Sequence, residues 1–289
     1  MPKRQHTVSK VVLRRFTRNR QLTVFDRDRS IVCPRGAGGA FFVQDFERSR
    51  AVEAEERLGS TESAMPRIYS LIRSRTVLDD EAAVSTLIDL MAVHWVRSPA
   101  IRLAHERIAD AVIEASLRKY ERQAPLLSQA YSQRTGLVAS TAGELEWTNA
   151  QLHNVAPEIR EKWWSDRAEV NFTQAREIFG RSCLQIGYAR AGDFLIGDAP
   201  VITRKIGHDG LGPHQGVAIG DASEICMPID PGVIIGLGPA PASIELDREA
   251  VERYNSFQIR TFQRWLGSRP GGSSDHSMRT MIPARTVLP

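Results

Sequence analysis

An imidazole stands among cations near the start of the sequence. His6 is preceded by Lys3 and Arg4 and followed by Lys10 and Arg14. Near neutral pH an imidazole can serve as general acid, general base or metal ligand. Neighbouring cations favour its neutral, proton-accepting form, and the same cations can hold a phosphate or another oxyanion. The plainer role for His6 is to cap the first helix. Far along the chain, Asp198 closes the apolar run DFLIG just before Ala199-Pro200. A carboxylate at a strand end, on a turn stiffened by proline, can be presented as a base or a metal ligand. Equally, it can bond the backbone two residues on. Arg97 follows an apolar helix face of Leu87, Leu90, Met91 and His94. It either serves the dipole of that helix or reaches inward to Asp198 or an anion. Asn255, after Tyr254, braces a sheet or touches substrate.

These residues define a candidate constellation. His6 would act as base or acid, with Asp198 orienting it or holding a metal, and Arg14, Arg97 and Asn255 would bind the ligand. A metal requirement stays open. Asp26 and Asp28 (D-R-D) could join Asp198 around a divalent cation, or form a turn salt-bridged to Arg27 and Arg29. His208, Asp209 and His214 in a glycine-rich loop are weaker ligands. No H-E-x-x-H pattern occurs, and Cys33, Cys183 and Cys226 form no C-x-x-C pair, so a zinc site has no support. There is no G-x-x-x-x-G-K-[ST] loop and no G-x-S-x-G elbow. GAGGA at 36–40 is not followed by a helix-forming run that would suit a dinucleotide.

The charge distribution points to an anionic partner such as a nucleotide or nucleic acid. Residues 1–50 hold twelve Lys+Arg against four Asp+Glu, whereas the whole 289-residue chain has a net charge of only +4. Only five of the 38 basic residues are lysine, and arginine suits bidentate phosphate recognition. Hydrophobic residues at 42% and charged residues at 25% exclude a disordered, collagen-like or disulfide-scaffold chain. No 18-residue apolar window and no secretory signal is evident, so no membrane partner is expected. Three distant cysteines make a reducing, cytoplasmic setting the default.

The elements that must position these residues follow from periodicity. Residues 6–20 suit a short amphipathic helix, QLTVFDRD alternates as a half-buried strand, and 30–45 read as two extended pieces around a loop. From 46 to 181 apolar residues recur three and four apart, as in helices, with Pro99 opening one of them and a polar hinge over 133–150. CLQIGYA, DFLIGDAPVI, EICMPID and GVIIGLG read as strands, and DREAVERYNSFQIRTFQRWLG as an amphipathic helix. The expected fold class is α+β: one mixed sheet built from N-terminal and C-terminal strands, covered by a large central helical region. Residues 1–267 would form a single domain: a basic unit over 1–45, a helical insertion over 46–181, and strands plus a final helix over 182–267. A glycine-rich loop would span 203–223, and 268–289 would be a flexible tail.

Several of these stretches resemble a known family. QHTVSKVVLRRF followed by QLTVFDRD, then AVHWVRSPAIR, DFLIGDAPVI, EICMPIDPGVIIGL and VERYNSFQIR resemble the ordered motifs of the DUF4238 family, from about residue 5 to 262. The chain departs from that pattern at Ser9, where the family often has proline, and at Gly197, where it often has serine. That resemblance implies positions to test and no reaction. The residues themselves lead to the expectation of a hydrolase acting on a phosphate-containing substrate, in the manner of a nuclease. The alternative is a non-catalytic nucleic-acid-binding or protein-interaction module.

Overall fold

The structure, a computed structural model, describes residues 4–44, 52–136, 158, 167–205, 207 and 217–281. Strand β1 (Arg4–His6) leads through Thr7–Ser9 into helix α1 (Lys10–Arg15). The helix is six residues long because the chain before it is drawn into a strand and the chain after it reverses at Arg18–Gln21. Asn19 (φ 53°) and Arg20 (φ 61°) make that reversal the tight left-handed kind that joins extended segments. Strands β2 (Leu22–Asp26) and β3 (Ile31–Arg35) form a hairpin, and β4 (Phe42–Gln44) returns to pair antiparallel with β1.

The central region is helical, as its periodicity predicts. Helix α2 (Val52–Ser74) runs through Pro66 and is followed by α3 (Glu81–Val96), then α4 (Pro99–Thr135). Asp80 caps α3 by accepting the Ala83 N–H at 2.9 Å, and Ser98 caps α4 with Pro99 in its first turn. Gly136 ends α4 at φ 71°. A fifth helix, α5, is described over 167–180. Of the hinge expected over 133–150, residues 133–135 instead continue α4 to its end at Gly136, and 137–150 lie outside the described residues.

Strands then return: β5 (Cys183–Ala189), β6 (Ile196–Gly197), β7 (Ile202–Arg204), β8 (Glu224–Asp230), β9 (Val233–Gly238) and β10 (Ala242–Leu246). Helix α6 (Arg248–Thr261), strand β11 (Trp265–Ser268) and helix α7 (Ser273–Met281) complete the described chain. The fold is α+β. N-terminal and C-terminal strands do share a sheet, in the antiparallel order β3-β2-β11-β6. The remaining long strands build a second, mixed sheet, β10-β5-β9-β8-β7, in which only the β10–β5 pair is parallel. The division arises because β11 leaves α6 and inserts between β2 and β6, closing the first sheet without reaching the second.

Two expectations need correction. Strand β2 is buried at all five positions instead of alternating, because it is an interior strand with neighbours on both edges and side chains covered on both faces. Nor is the stretch after Ser268 loose as far as residue 281. Ser268 and Met278 are fully buried, and the Asp275 carboxylate accepts the Ser268 hydroxyl at 3.0 Å and the Gly271 N–H at 3.2 Å. Residues 282–289 lie outside the described part.

One continuous core joins the layers. Leu13 of α1 and Phe16 just after it, Met65 and Ile68 of α2, and Leu87 and Leu90 of α3 pack with Phe172 and Phe179 of α5 and with Ile186, Met227 and Ile235 of the mixed sheet. Burial of side chains this large, at about 1.5–3 kcal/mol each, fixes the helices against the mixed sheet.

Candidate functional site

His6 ends β1, and its orientation is set by the loop before β4. Gly36 to Ala40 turn sharply, with Gly39 N–H donating to the Gly36 carbonyl at 2.8 Å. Phe41 then adopts φ 55°, a left-handed backbone uncommon outside glycine, with its ring fully buried to hold it there. The Ala40 carbonyl meets His6 Nδ1 at 3.1 Å, and the Phe41 carbonyl accepts both Thr7 N–H (2.9 Å) and Thr7 Oγ1 (3.2 Å). A carbonyl can only accept, so Nδ1 carries the proton and Nε2 keeps its lone pair. Burial, then the Lys10 ammonium and the Arg97 guanidinium, draw the imidazole pKa below its ordinary value, against the Ala40 bond, which raises it. The half-buried ring is therefore neutral at pH 7, carries an acceptor nitrogen and feels the charge of two cations.

A second histidine holds this unit to the helices. His94 is fully buried on α3; its Nδ1 donates to the Leu90 carbonyl at 2.8 Å and its Nε2 accepts the Ser9 N–H at 3.0 Å. Burial pushes its pKa down to about 4, so it stays neutral and fastens the start of α1 to α3. Arg97 caps the C-terminus of the same helix, where its N–H donates to the Val93 carbonyl at 2.9 Å. It is buried, and its charge reaches both His6 and His94. Arg14 is exposed on the last turn of α1, four residues from Lys10 and so on the same face.

Asp198 has a different office from the one its residue type suggests. It is fully buried after β6, and its carboxylate accepts three backbone N–H groups: Gln263 at 2.7 Å, Arg264 at 2.8 Å and Trp265 at 3.1 Å. Its own N–H donates to the Trp265 carbonyl at 2.9 Å. Burial lifts its pKa, and those three donors and the Arg27 charge oppose the rise. The carboxylate thus gathers the chain leaving α6 into β11. It is absent from the groups that bond or charge His6, and the Ala40 carbonyl does the orienting that was expected of Asp198.

Asn255 braces the fold. Its Oδ1 accepts the Leu195 N–H at 2.7 Å and its Nδ2 donates to the Asp193 carbonyl at 2.9 Å. One turn on, Gln258 accepts the Gly197 N–H at 2.6 Å and donates to the Pro200 carbonyl at 3.0 Å. Side chains of α6 therefore grip the 193–200 backbone, while Asp198 from that backbone grips the exit of α6. Gly197 is required by this lock, since a Cβ there would lie 2.6 Å from Gln258 Oε1 and 3.0 Å from Phe262 Cβ.

The elements carrying Arg97 and Asp198 do converge. Ser98 and Ala199 line one hollow of about 210 Å³, together with Trp95, Thr203 and Thr261. Asp26 and Asp28 both approach Arg264, at 3.5 and 2.9 Å, in place of the expected Arg27 and Arg29. Among the described residues no group of three or more His, Cys, Asp or Glu side chains could hold a metal ion. His208, Asp209 and His214 lie outside the described residues. Cys33, Cys183 and Cys226 are free thiols, and no described helix is long and apolar enough to cross a membrane.

Residue types alone do not announce the Ala40 carbonyl. Its trace in the sequence is GAGGAFF, a flexible run ending on two large anchors that must fold back on what precedes it. No curated protein and no solved structure matches the chain. The family profile described as "Protein of unknown function (DUF4238)" matches residues 4–271, nearly the whole sequence with all the strands and helices that build this site, and the chain belongs to that family.

Proposed function

We propose that the protein is a hydrolase of phosphate-containing substrates, with His6 as its general base. The observation that supports this reading is the fixed tautomer of His6: Nδ1–H is committed to the Ala40 carbonyl, which leaves Nε2 as the lone-pair nitrogen of a half-buried ring that feels the charges of Lys10 and Arg97. In the reaction Nε2 takes a proton from water as the water oxygen bonds phosphorus. The bond from phosphorus to the leaving oxygen breaks with its electron pair on that oxygen, which recovers the proton from the imidazolium. Lys10 and Arg97 hold the non-bridging oxygens as negative charge builds. The test compares wild type, His6→Ala and His6→Gln on a panel of RNA, single-stranded DNA and nucleotides. Turnover should fall about 100-fold or more in both variants, and the acid limb of the wild-type rate profile should lie below pH 6.5. A wild type inert toward the whole panel, or variants that match it, would refute the proposal.

A second reading is favoured by the exposed guanidinium groups of Arg14, Arg18 and Arg20 around the α1 turn. These could track a phosphate backbone without catalysis. Binding to an oligonucleotide would then weaken steeply with salt, and replacing the three arginines would flatten that dependence.

A further inference from the structure

The C-terminal end of α2, the end of α1 and the mixed sheet enclose a cleft of about 240 Å³ whose walls are arginine stacked on tyrosine. We infer that this cleft binds a small phosphate monoester as its dianion, at a site separate from His6. Arg15 lies 4.7 Å over the Tyr69 ring on one wall, and Arg75 lies 4.5 Å over the Tyr188 ring on the other. Both phenol groups are spent on backbone, Tyr69 on the Ile229 carbonyl at 2.9 Å and Tyr188 on the Ile72 carbonyl at 3.0 Å. The rings are therefore locked and offer only their faces. Asp230 fixes Arg15 through Nε at 2.7 Å while its other oxygen accepts the Gly232 N–H. Arg73, on the last turn of α2, is exposed and has no acidic partner among the described residues.

The backbone around Arg75 carries the argument further. Thr76 N–H donates to the Leu71 carbonyl at 3.0 Å and Arg75 N–H to the Ile72 carbonyl at 3.1 Å, the paired bonds that close a helix through a left-handed residue. That residue is usually glycine, yet here Arg75 adopts φ 62°. A side chain is strained there, and the tolerated strain puts a guanidinium at the mouth of the cleft. The same bonds take up two of the helix-end carbonyls, those of Leu71 and Ile72, and so blunt the negative end of the helix toward an anion.

Charge selects the ligand. The lining carries Arg15, Arg73 and Arg75 against one carboxylate, Asp230; Glu245, outside the lining, is shared by Arg75 and Arg190 and so adds no net charge with Arg190. Two positive charges remain, which matches a phosphate monoester near neutral pH, and planar guanidinium forks suit its oxygens. The volume admits a phosphate with a sugar-sized group.

The experiment is calorimetric titration of the full chain with ribose 5-phosphate and with inorganic phosphate, using sodium chloride at equal ionic strength as the control. Both phosphates should bind, and Arg73→Ala and Arg75→Gly should each weaken binding about tenfold or more. Arg75→Gly also relieves the left-handed strain, so its melting temperature should not fall in step with affinity. Absence of binding heat at millimolar phosphate, or unchanged affinity in Arg73→Ala, would overturn the inference. Since Arg73 is exposed and makes no ion pair among the described residues, that variant reads out even if Arg75→Gly folds poorly. Arg73→Ala should hydrolyse the RNA, single-stranded DNA and nucleotide panel as wild type does while losing ribose 5-phosphate binding, which keeps this test separate from that of the hydrolase.

Discussion

Asp198 separates a structural carboxylate from a catalytic one, and the two roles predict opposite outcomes for one substitution. In Asp198→Ala three buried or part-buried backbone N–H groups, those of Gln263, Arg264 and Trp265, lose their acceptor. An unsatisfied buried donor costs about 1–3 kcal/mol. Some relaxation and entry of a water molecule into the vacated space put the total at about 3–5 kcal/mol. For a chain of this size 1 kcal/mol moves the melting temperature by about 2–4 °C, so the midpoint should drop by roughly 10 °C. Asp198→Asn should also destabilise, because an amide nitrogen in place of one oxygen would set donor against donor. The assay is urea denaturation followed by circular dichroism, beside a thermal scan, with His6→Ala as the comparison. His6 makes one bond from a half-buried position, so its loss should cost no more than about 1 kcal/mol. Wild-type stability in Asp198→Ala would refute the whole account of the lock between α6 and β6, and would return Asp198 to the active-site candidates.

Other outcomes follow from the same geometry. His94 is neutral in the fold, with a pKa of about 4 against an ordinary 6.5. The unfolded chain therefore binds the extra proton between those values, and stability should decline as pH falls through that window, by up to about 3 kcal/mol at its acid end. Denaturation curves at pH 7 and pH 4.5 measure the decline, and an equally steep decline in His94→Gln would assign it to other groups. Asp198 acts in the opposite sense. Its raised pKa means that the folded state holds the proton more tightly, so this group's contribution falls as pH rises above 3.8. Gly197→Ala should destabilise by about 1–3 kcal/mol through overlap with Gln258. The double change Gly197→Ala with Gln258→Ala should cost less than the sum of the singles in a melting series, and strict additivity would contradict the contact.

The strands and helices that carry strong periodicity are legible in the sequence. The run DDEAAVSTLIDLMAVHWV declares α3 and its cap, and EICMPID and GVIIGLG declare the hairpin of β8 and β9. Strand β10, ASIEL, is not declared, because its exposed alternation is weak and its parallel partner β5 lies more than fifty residues earlier. The stretch after Ser268 reads as a loose tail because serine and glycine dominate it. What orders it is a carboxylate at Asp275 reaching back to Ser268 and Gly271, a bond between groups that composition does not reveal. The same holds at the candidate site. His6 stands out by type, but its partner is a carbonyl, and every residue has one. Asp198 stands out equally, and what decides its role is the three N–H groups around it, which appear only when two remote segments meet.

The insertion of β11 between β2 and β6 bears on how the molecule is made. During synthesis β2, with its run of Leu22, Val24 and Phe25, emerges some 240 residues before the strand that covers its second edge. At about 5–20 residues per second, that bare edge waits on the order of 10–50 s at the ribosome. Nascent chains halted short of Trp265 should therefore need a chaperone to stay dispersed, and completing one short strand should release them.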